Sequence, residues 1–137
     1  MSNRSIEPVI IHEDDCEVEA WSDDMRGYVE WRTLFSGDRT NTNALTSGVA
    51  ELPVGVTTIY RMHTHAPVEM YYILEGNGSI KIVEEKHDVK KGTAVYIPGN
   101  VPHCLVNTGD VPLRLLYVFA ADSFAEIEYE FPELEGK

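Results

Sequence analysis

In the stretch TIYRMHTHAPVEMYYILEG, residues 58–76, two histidines and a carboxylate fall within seven positions: His63, His65 and Glu69. Alternate side chains of an extended chain share a face, so His63 and His65 point one way and Thr64 the other. Proline has no N–H to give to a ladder and its ring suits a bend, so the chain is expected to reverse at Ala66-Pro67 and return Glu69 beside the imidazoles. Two ring nitrogens and a carboxylate converging in this way can hold a divalent metal with positions left open for water or substrate. His103, thirty-four residues after Glu69 in GTAVYIPGNVPHCLVN, is the fourth candidate ligand. Three imidazoles and one carboxylate suit one divalent transition metal, Fe(II), Mn(II), Ni(II), Co(II) or Zn(II), and the donor set does not choose among them. The plainer alternative is a polar cluster without a metal, which the spacing of four donors disfavours.

Period two also places Tyr71 on the face of Glu69 and turns Tyr72 away. A phenol beside a metal cation can lose its proton well below its reference pKa of about 10, which would make Tyr71 a base; otherwise it packs and donates a hydrogen bond. Arg61 shares the parity of His63 and His65 and is expected to meet an anion, either a substrate carboxylate or an acidic neighbour. Cys104 has the opposite parity from His103 and reads as a small buried hydrophobe facing away from the metal. His12 and His87 lie in charged contexts and are expected in solvent.

The elements that must position these residues are strands. Segments 27–35, 45–52, 56–63, 68–74, 79–84, 93–97, 104–107 and 113–119 are rich in β-branched and aromatic residues and are separated by Gly, Pro, Asn and Asp. Glu75-Gly76-Asn77-Gly78 reads as a hairpin, residues 36–43 as a turn, 85–92 as a charged turn, and 120–128 as at most one helical turn. Many short strands without a long helix mean an all-β sandwich or barrel. At 137 residues with 43% hydrophobic content the chain makes one domain with its own core. Its expected divisions are an N-terminal arm or edge strand over residues 1–26, a barrel over 27–120, and a C-terminal tail over 121–137 that packs on the barrel.

The 23 acidic residues outnumber the 11 basic ones, for a net charge of −12. That surface repels phosphate backbones and anionic headgroups, so neither nucleic acid nor membrane is an expected partner. Val9-Ile10-Ile11 is too short for a signal peptide or membrane span, and Cys16 and Cys104 are not spaced as a redox or zinc pair. A cytoplasmic location with reduced thiols is the expectation.

The two histidine-bearing stretches resemble the cupin superfamily of small jelly-roll β-barrels. His63-Thr64-His65, Glu69 and Gly76 stand in its first motif, although Gly55 comes two residues early and Thr57 occupies the place of the leading glycine. Gly92, Pro98, His103 and Asn107 stand in its second motif, with Asn100 where a glycine belongs and Gly99 just before it. Asn tolerates the left-handed backbone better than most residues, so this departure is mild. Within that superfamily the chain is similar to the small cupin-type dimethylsulfoniopropionate lyases, through the strand holding Trp31, through HTHAPVEMYY and VYIPGNVPH, and into the tail FAADSFAEIEYEFP.

The resemblance implies a single-domain jelly-roll barrel and a metal-dependent cleavage of dimethylsulfoniopropionate into dimethyl sulfide and acrylate. It implies that Tyr71 serves as the base and that Tyr129, in the tail, assists. A sulfonium substrate would find π-faces on Trp31 with Tyr28 or Tyr60, residues that otherwise pack in the core. The expected partner is thus a small carboxylate, and a homodimer is expected from family habit and from the arm before Gly27. Two rivals share the ligand set: an Fe(II)-dependent dioxygenase and a non-enzymatic metal or small-ligand binding protein.

Overall fold

In a computed structural model, residues 6–23, 27–55 and 61–132 are described. Their strands are β1 (Val18–Asp23), β2 (Gly27–Phe35), β3 (Thr46–Leu52), β4 (Glu69–Glu75), β5 (Asn77–Ile82), β6 (Glu85–Lys90), β7 (Ala94–Ile97), β8 (His103–Asn107) and β9 (Leu113–Phe119). Single 3-10 turns lie at Glu13–Asp15 and Phe124–Glu126. Among the described residues no helix is long and apolar enough to cross a membrane. The fold is all-β, as the strand spacing requires.

The strands form two antiparallel sheets, one of six in the order β1-β2-β3-β9-β4-β7 and one of three in the order β6-β5-β8. Alternation decides which side chains meet between them. Along β9, Leu113, Leu115, Tyr117 and Phe119 are buried while Arg114, Leu116 and Val118 are half-buried on the other face. Along β4, Glu69, Tyr71 and Ile73 point in, and Met70 and Tyr72 point out. Inward residues of both sheets build one core, with Ile80, Val89 and Leu105 from the smaller sheet. Buried Asn107 closes the β8–β9 connection: its Nδ2 donates to the carbonyls of Leu52 and Val111, each at 2.9 Å, and its Oδ1 accepts from Gly109 N.

Two expectations are corrected. Glu75-Gly76-Asn77-Gly78 is a corner between the sheets: β4 pairs with β7 and β9, whereas β5 pairs with β6 and β8. Gly76, at φ 91°, passes so close to the Pro112 carbonyl that a Cβ would collide with it. The hairpin lies one strand later, where Ile82 pairs with Glu85 around Val83-Glu84 and Val83 takes φ 57°. Residues 85–92 are mainly strand β6, an edge whose charges face water and whose one buried side chain is Val89. The expected strand over 56–63 is described only from Arg61 onward. Residues 56–60 lie outside the described residues, Arg61 and Met62 carry no ladder, and His63 and Thr64 are held by single bridges, His63 to His103 and Thr64 to Glu130.

Candidate metal centre

The His63–His103 bridge sets the centre. His63 N donates to the His103 carbonyl at 3.0 Å and His103 N donates back at 3.1 Å, so the two residues lie directly opposite one another. Their rings stand 4.2 Å apart, and the His65 ring lies 5.7 Å from His63 and 4.9 Å from His103. The His65 carbonyl accepts from Asn100 N at 2.8 Å, with Asn100 at φ 63°, the left-handed backbone that asparagine tolerates. Both motif turns are thereby locked together.

Each imidazole is tied in the same manner. Nδ1 of His63, His65 and His103 lies 2.8, 2.9 and 2.8 Å from the carbonyl oxygens of Arg61, Pro67 and Val101, each two residues away in sequence. A carbonyl only accepts, so Nδ1 carries the proton in all three rings and Nε2 carries a lone pair. One ligand atom from each of the three buried histidines lies within 4.8 Å of the others. Burial pushes the His63 pKa well below the usual histidine value; the nearby His103 adds to this, the Arg61 carbonyl opposes it, and His65 lowers it further. His63 is therefore a neutral, ligand-ready ring at neutral pH.

Glu69 completes the cluster from β4. Its Oε1 sits 3.1 Å from His65 Nε2 and 3.4 Å from His103 Nε2, with the carboxylate almost wholly buried. Buried His103 Nε2 makes no hydrogen bond among the described residues. Lone pairs thus face a carboxylate in a site shut off from water, an arrangement that calls for a cation between them. With metal–nitrogen distances of about 2.1 Å, neighbouring ligand atoms stand about 3.0 Å apart in an octahedron and about 3.4 Å apart in a tetrahedron, the separations found around Glu69. The three imidazoles fit a divalent metal, and Glu69 lies beside two of them.

A cavity of about 60 Å³ reaches Glu69 of this cluster. By volume it holds roughly four waters or a small organic molecule. Its lining is Trp21, Val29, Trp31, Ala50, Leu52, Glu69, Tyr71, Leu105, Leu115, Tyr117, Phe119, Phe124 and Tyr129, with one carboxylate and no cationic side chain. Trp21 stands edge-on to Trp31 at 5.3 Å and to Tyr129 at 5.0 Å. Tyr129 also stacks on the His63 ring at 5.1 Å, and Tyr71 lies 6.3 Å from the His103 ring. The tail is held in place by a two-way bridge, Thr64 N to the Glu130 carbonyl at 2.8 Å and Glu130 N to the Thr64 carbonyl at 2.9 Å.

Of the residues singled out from sequence, Glu69, Tyr71, Tyr129 and Trp31 line the cavity, and the three histidines stand behind that lining, next to Glu69 and Tyr129. Arg61 is half-buried and outside the cavity lining, and its carbonyl serves His63. Tyr60 lies outside the described residues. Tyr28 donates its hydroxyl to Glu30 at 2.8 Å, which raises its pKa, and takes no part in the cavity wall. Cys104 is buried away from the lining, while His12 and His87 are exposed.

Sequence reasoning missed Trp21, Tyr117, Phe119 and Phe124. The alternation of residues 113–119 carried the signal for Tyr117 and Phe119. Trp21 and Phe124 sit in acidic, weakly patterned flanks that carried none. Burial drives the Tyr117 pKa far above the usual tyrosine value, against a hydrogen bond with Thr33, so among the cavity's tyrosines it stays a phenol.

The family model for the cupin domain (Cupin_2) matches residues 48–119. The dimethylsulfoniopropionate lyase DddW of Ruegeria pomeroyi is 37% identical over 124 residues, covering 90% of this chain and 80% of that protein. Among solved structures, a predicted oxalate decarboxylase from Thermotoga maritima superposes with a TM-score of 0.72 at 26% identity, over 82% of this chain and 99% of that one. A chain from the crystal structures of the DMSP lyases RdDddP and RnDddQII gives 0.62 at 20% identity, over 75% of this chain and 52% of that one, a likeness of fold alone. On the jelly-roll topology, the histidine cluster and these matches together, the chain belongs to the cupin family.

Proposed function

We propose that this chain is a metal-dependent carbon–sulfur lyase that eliminates dimethyl sulfide from dimethylsulfoniopropionate. The observation that carries the reading is the meeting of two tyrosines, Tyr71 and Tyr129, on the wall of one small aromatic cavity whose one carboxylate, Glu69, lies against the histidine cluster. The lyase of Ruegeria pomeroyi supports it, because that match extends beyond the cupin motifs over nine-tenths of the chain.

A divalent metal on His63, His65, Glu69 and His103 would supply a site for the substrate carboxylate and stabilise the negative charge that develops as the α-proton leaves. The chain's own residues do the rest. Trp21 and Trp31 present π-faces to the sulfonium and keep water out. No positive side chain in the lining repels that cation. Tyr71, as phenolate, takes the α-proton. The Cβ–S bond breaks with its electron pair going to sulfur, leaving dimethyl sulfide and acrylate, and the proton then passes from the Tyr71 oxygen to solvent. Tyr129, stacked on His63, is placed to hydrogen-bond the substrate or to stand in as base. Tyr117, held protonated, can only donate or pack.

The test is headspace dimethyl sulfide from purified protein, after chelation and after separate reloading with Fe(II), Mn(II), Ni(II), Co(II) and Zn(II). Metal-dependent release is expected, and Tyr71→Phe should abolish it while metal content is unchanged. Full activity in that variant would remove Tyr71 from the chemistry. No release with any bound metal would overturn the lyase reading, and oxygen consumption with a candidate substrate would then identify a dioxygenase.

A further inference from the structure

Nine of the thirteen residues that line the cavity are buried, and the four that reach solvent are all aromatic: Trp21, Trp31, Phe124 and Tyr129. The cavity therefore meets water on that side. The four rings close on one another there. Trp21 lies 5.3 Å from Trp31, 5.0 Å from Tyr129 and 6.2 Å from Phe124, and Phe124 lies 6.0 Å from Trp31 and 6.1 Å from Tyr129. Trp21 packs against all three of the others, so its displacement opens the mouth.

Trp21 is carried by β1, the edge of the six-stranded sheet, whose ladder among the described residues runs to β2 alone. A strand with one neighbour is the part of a sheet that moves at least cost. A second device holds it. Glu19, two residues before Trp21 and half-buried on the same side of the strand, accepts from Arg39 Nη1 at 2.5 Å, from Arg39 Nη2 at 2.8 Å and from Thr33 Oγ1 at 2.7 Å. Both arms of the guanidinium are engaged, a fork that lysine cannot copy. Arg39 keeps the Glu19 carboxyl below its usual pKa, against the effect of burial. The turn that bears Arg39 also holds the other side of the mouth: Ser36 Oγ accepts from Phe124 N at 2.9 Å, and Gly37 N donates to the Asp122 carbonyl at 2.7 Å.

We propose that Arg39 is a positioning residue for the cavity mouth: through Glu19 it fixes the edge strand so that Trp21 seals the aromatic entrance, and release of this clasp admits small molecules to the cavity. The pair suits an entrance because it yields. Its side chains are 49% and 23% exposed, so water and dissolved ions weaken it as they weaken any surface ion pair. The inference rests on the cavity and its rings, and not on the reaction carried out there.

Acrylamide quenching of tryptophan fluorescence in the full chain tests it. Trp21 and Trp31 are the chain's two tryptophans, so the signal comes from the mouth, and a neutral quencher is indifferent to the net charge of −12. Arg39→Gln should raise the Stern–Volmer constant at least about twofold. Arg39→Lys, which keeps the charge and loses the fork, should fall between the two. Glu19→Gln should give the same rise as Arg39→Gln, with no further rise in the double variant. Salt at about 0.5 M should increase quenching of the wild type and leave Arg39→Gln unmoved. Arg114→Gln removes an ion pair with Glu13 elsewhere on the sheet and should quench like the wild type. Should Arg39→Gln lose strand content by far-UV circular dichroism, the salt series on the wild type decides instead. Equal quenching in Arg39→Gln and the wild type, an equal rise in Arg114→Gln, additive rises in the double variant, or a wild type indifferent to salt overturns the proposal.

Discussion

Replacing Glu69 by Gln separates the ligand role of this carboxylate from any structural one. Glu69 Oε1 stands 3.1 and 3.4 Å from the Nε2 atoms of His65 and His103, whose Nδ1 protons are committed to backbone carbonyls. Without a metal these are lone pairs facing a carboxylate; with Gln, an amide N–H can donate to Nε2 and the mismatch disappears. Metal-free Glu69→Gln should therefore be at least as stable as the wild type. Metal binding should suffer, because a neutral amide replaces the site's anionic ligand; a loss of at least about a hundredfold in affinity is expected, on the scale of second-shell changes or beyond. At a metal concentration about 100 times the wild-type Kd, binding adds about 2.7 kcal/mol to stability. For a chain of this length that raises Tm by roughly 10 °C. The variant at the same concentration should gain only about 0.4 kcal/mol, or roughly 1–2 °C. Differential scanning fluorimetry across the five metals reads both quantities. An equal metal-induced shift in the two proteins would remove Glu69 from the ligand set. A metal-free variant destabilised by several kcal/mol would show that Glu69 serves as a structural ion-pair partner, and the lone-pair argument would fail.

Two further outcomes follow from buried contacts. A Cβ at Gly48 would run into the Tyr117 hydroxyl and the Arg32 carbonyl, so Gly48→Ala should cost about 1–3 kcal/mol in urea unfolding. Adding Tyr117→Phe should recover only part of that, because the Arg32 oxygen is backbone; an unperturbed Gly48→Ala would refute the packing. His63 is held neutral in the fold, with a pKa below that of the unfolded chain. Below about pH 6.5 the unfolded state takes up the proton first, so stability is complete above that value and falls with acidification. The loss attributable to His63 should be on the order of 1 kcal/mol per pH unit in the metal-free protein, read as the difference in slope between wild type and His63→Gln. Equal slopes would contradict a buried neutral imidazole.

The placement of His63, His65 and Glu69 was legible because its determinants are local, whereas His103 joins them through a bridge across forty residues. The alternation of His63 and His65 and the bend at Ala66-Pro67 are short-range rules, and the same short range fixes each ring through a carbonyl two residues away. The inward face of β4 followed from the same period, so Tyr71 was found. What was not legible depends on pairing at a distance. The Gly76 corner carries the residues of a hairpin, and only the prior engagement of β4 with β9 and of β5 with β8 makes it a crossing between sheets. The charges of β6 read as a turn because an edge strand exposes nearly every side chain. Tyr129 was reached through resemblance alone, since its place beside His63 depends on a bridge between Thr64 and Glu130 that no local pattern announces.

The division between motif and flank bears on the chemistry. The cupin match ends at residues 48 and 119, and within it lie the three histidines, Glu69, Tyr71 and Tyr117. Outside it lie Trp21, Trp31, Phe124 and Tyr129, which make up the rest of the aromatic lining beside Tyr71, Tyr117 and Phe119. The matched span therefore holds the candidate metal ligands and part of the cavity wall, and the flanks supply the remainder of that wall. Tyr129 depends on both, since its ring rests on a candidate ligand while its neighbour Glu130 pairs with Thr64, between two of them. A likeness confined to the motif thus says little about substrate, whereas one that runs into the flanks, as with the Ruegeria pomeroyi lyase, bears on the wall itself. This is why the lyase reading rests on the cavity as much as on the ligands. It is also why substitutions at Trp21 or Trp31 should alter substrate preference while leaving metal affinity in place.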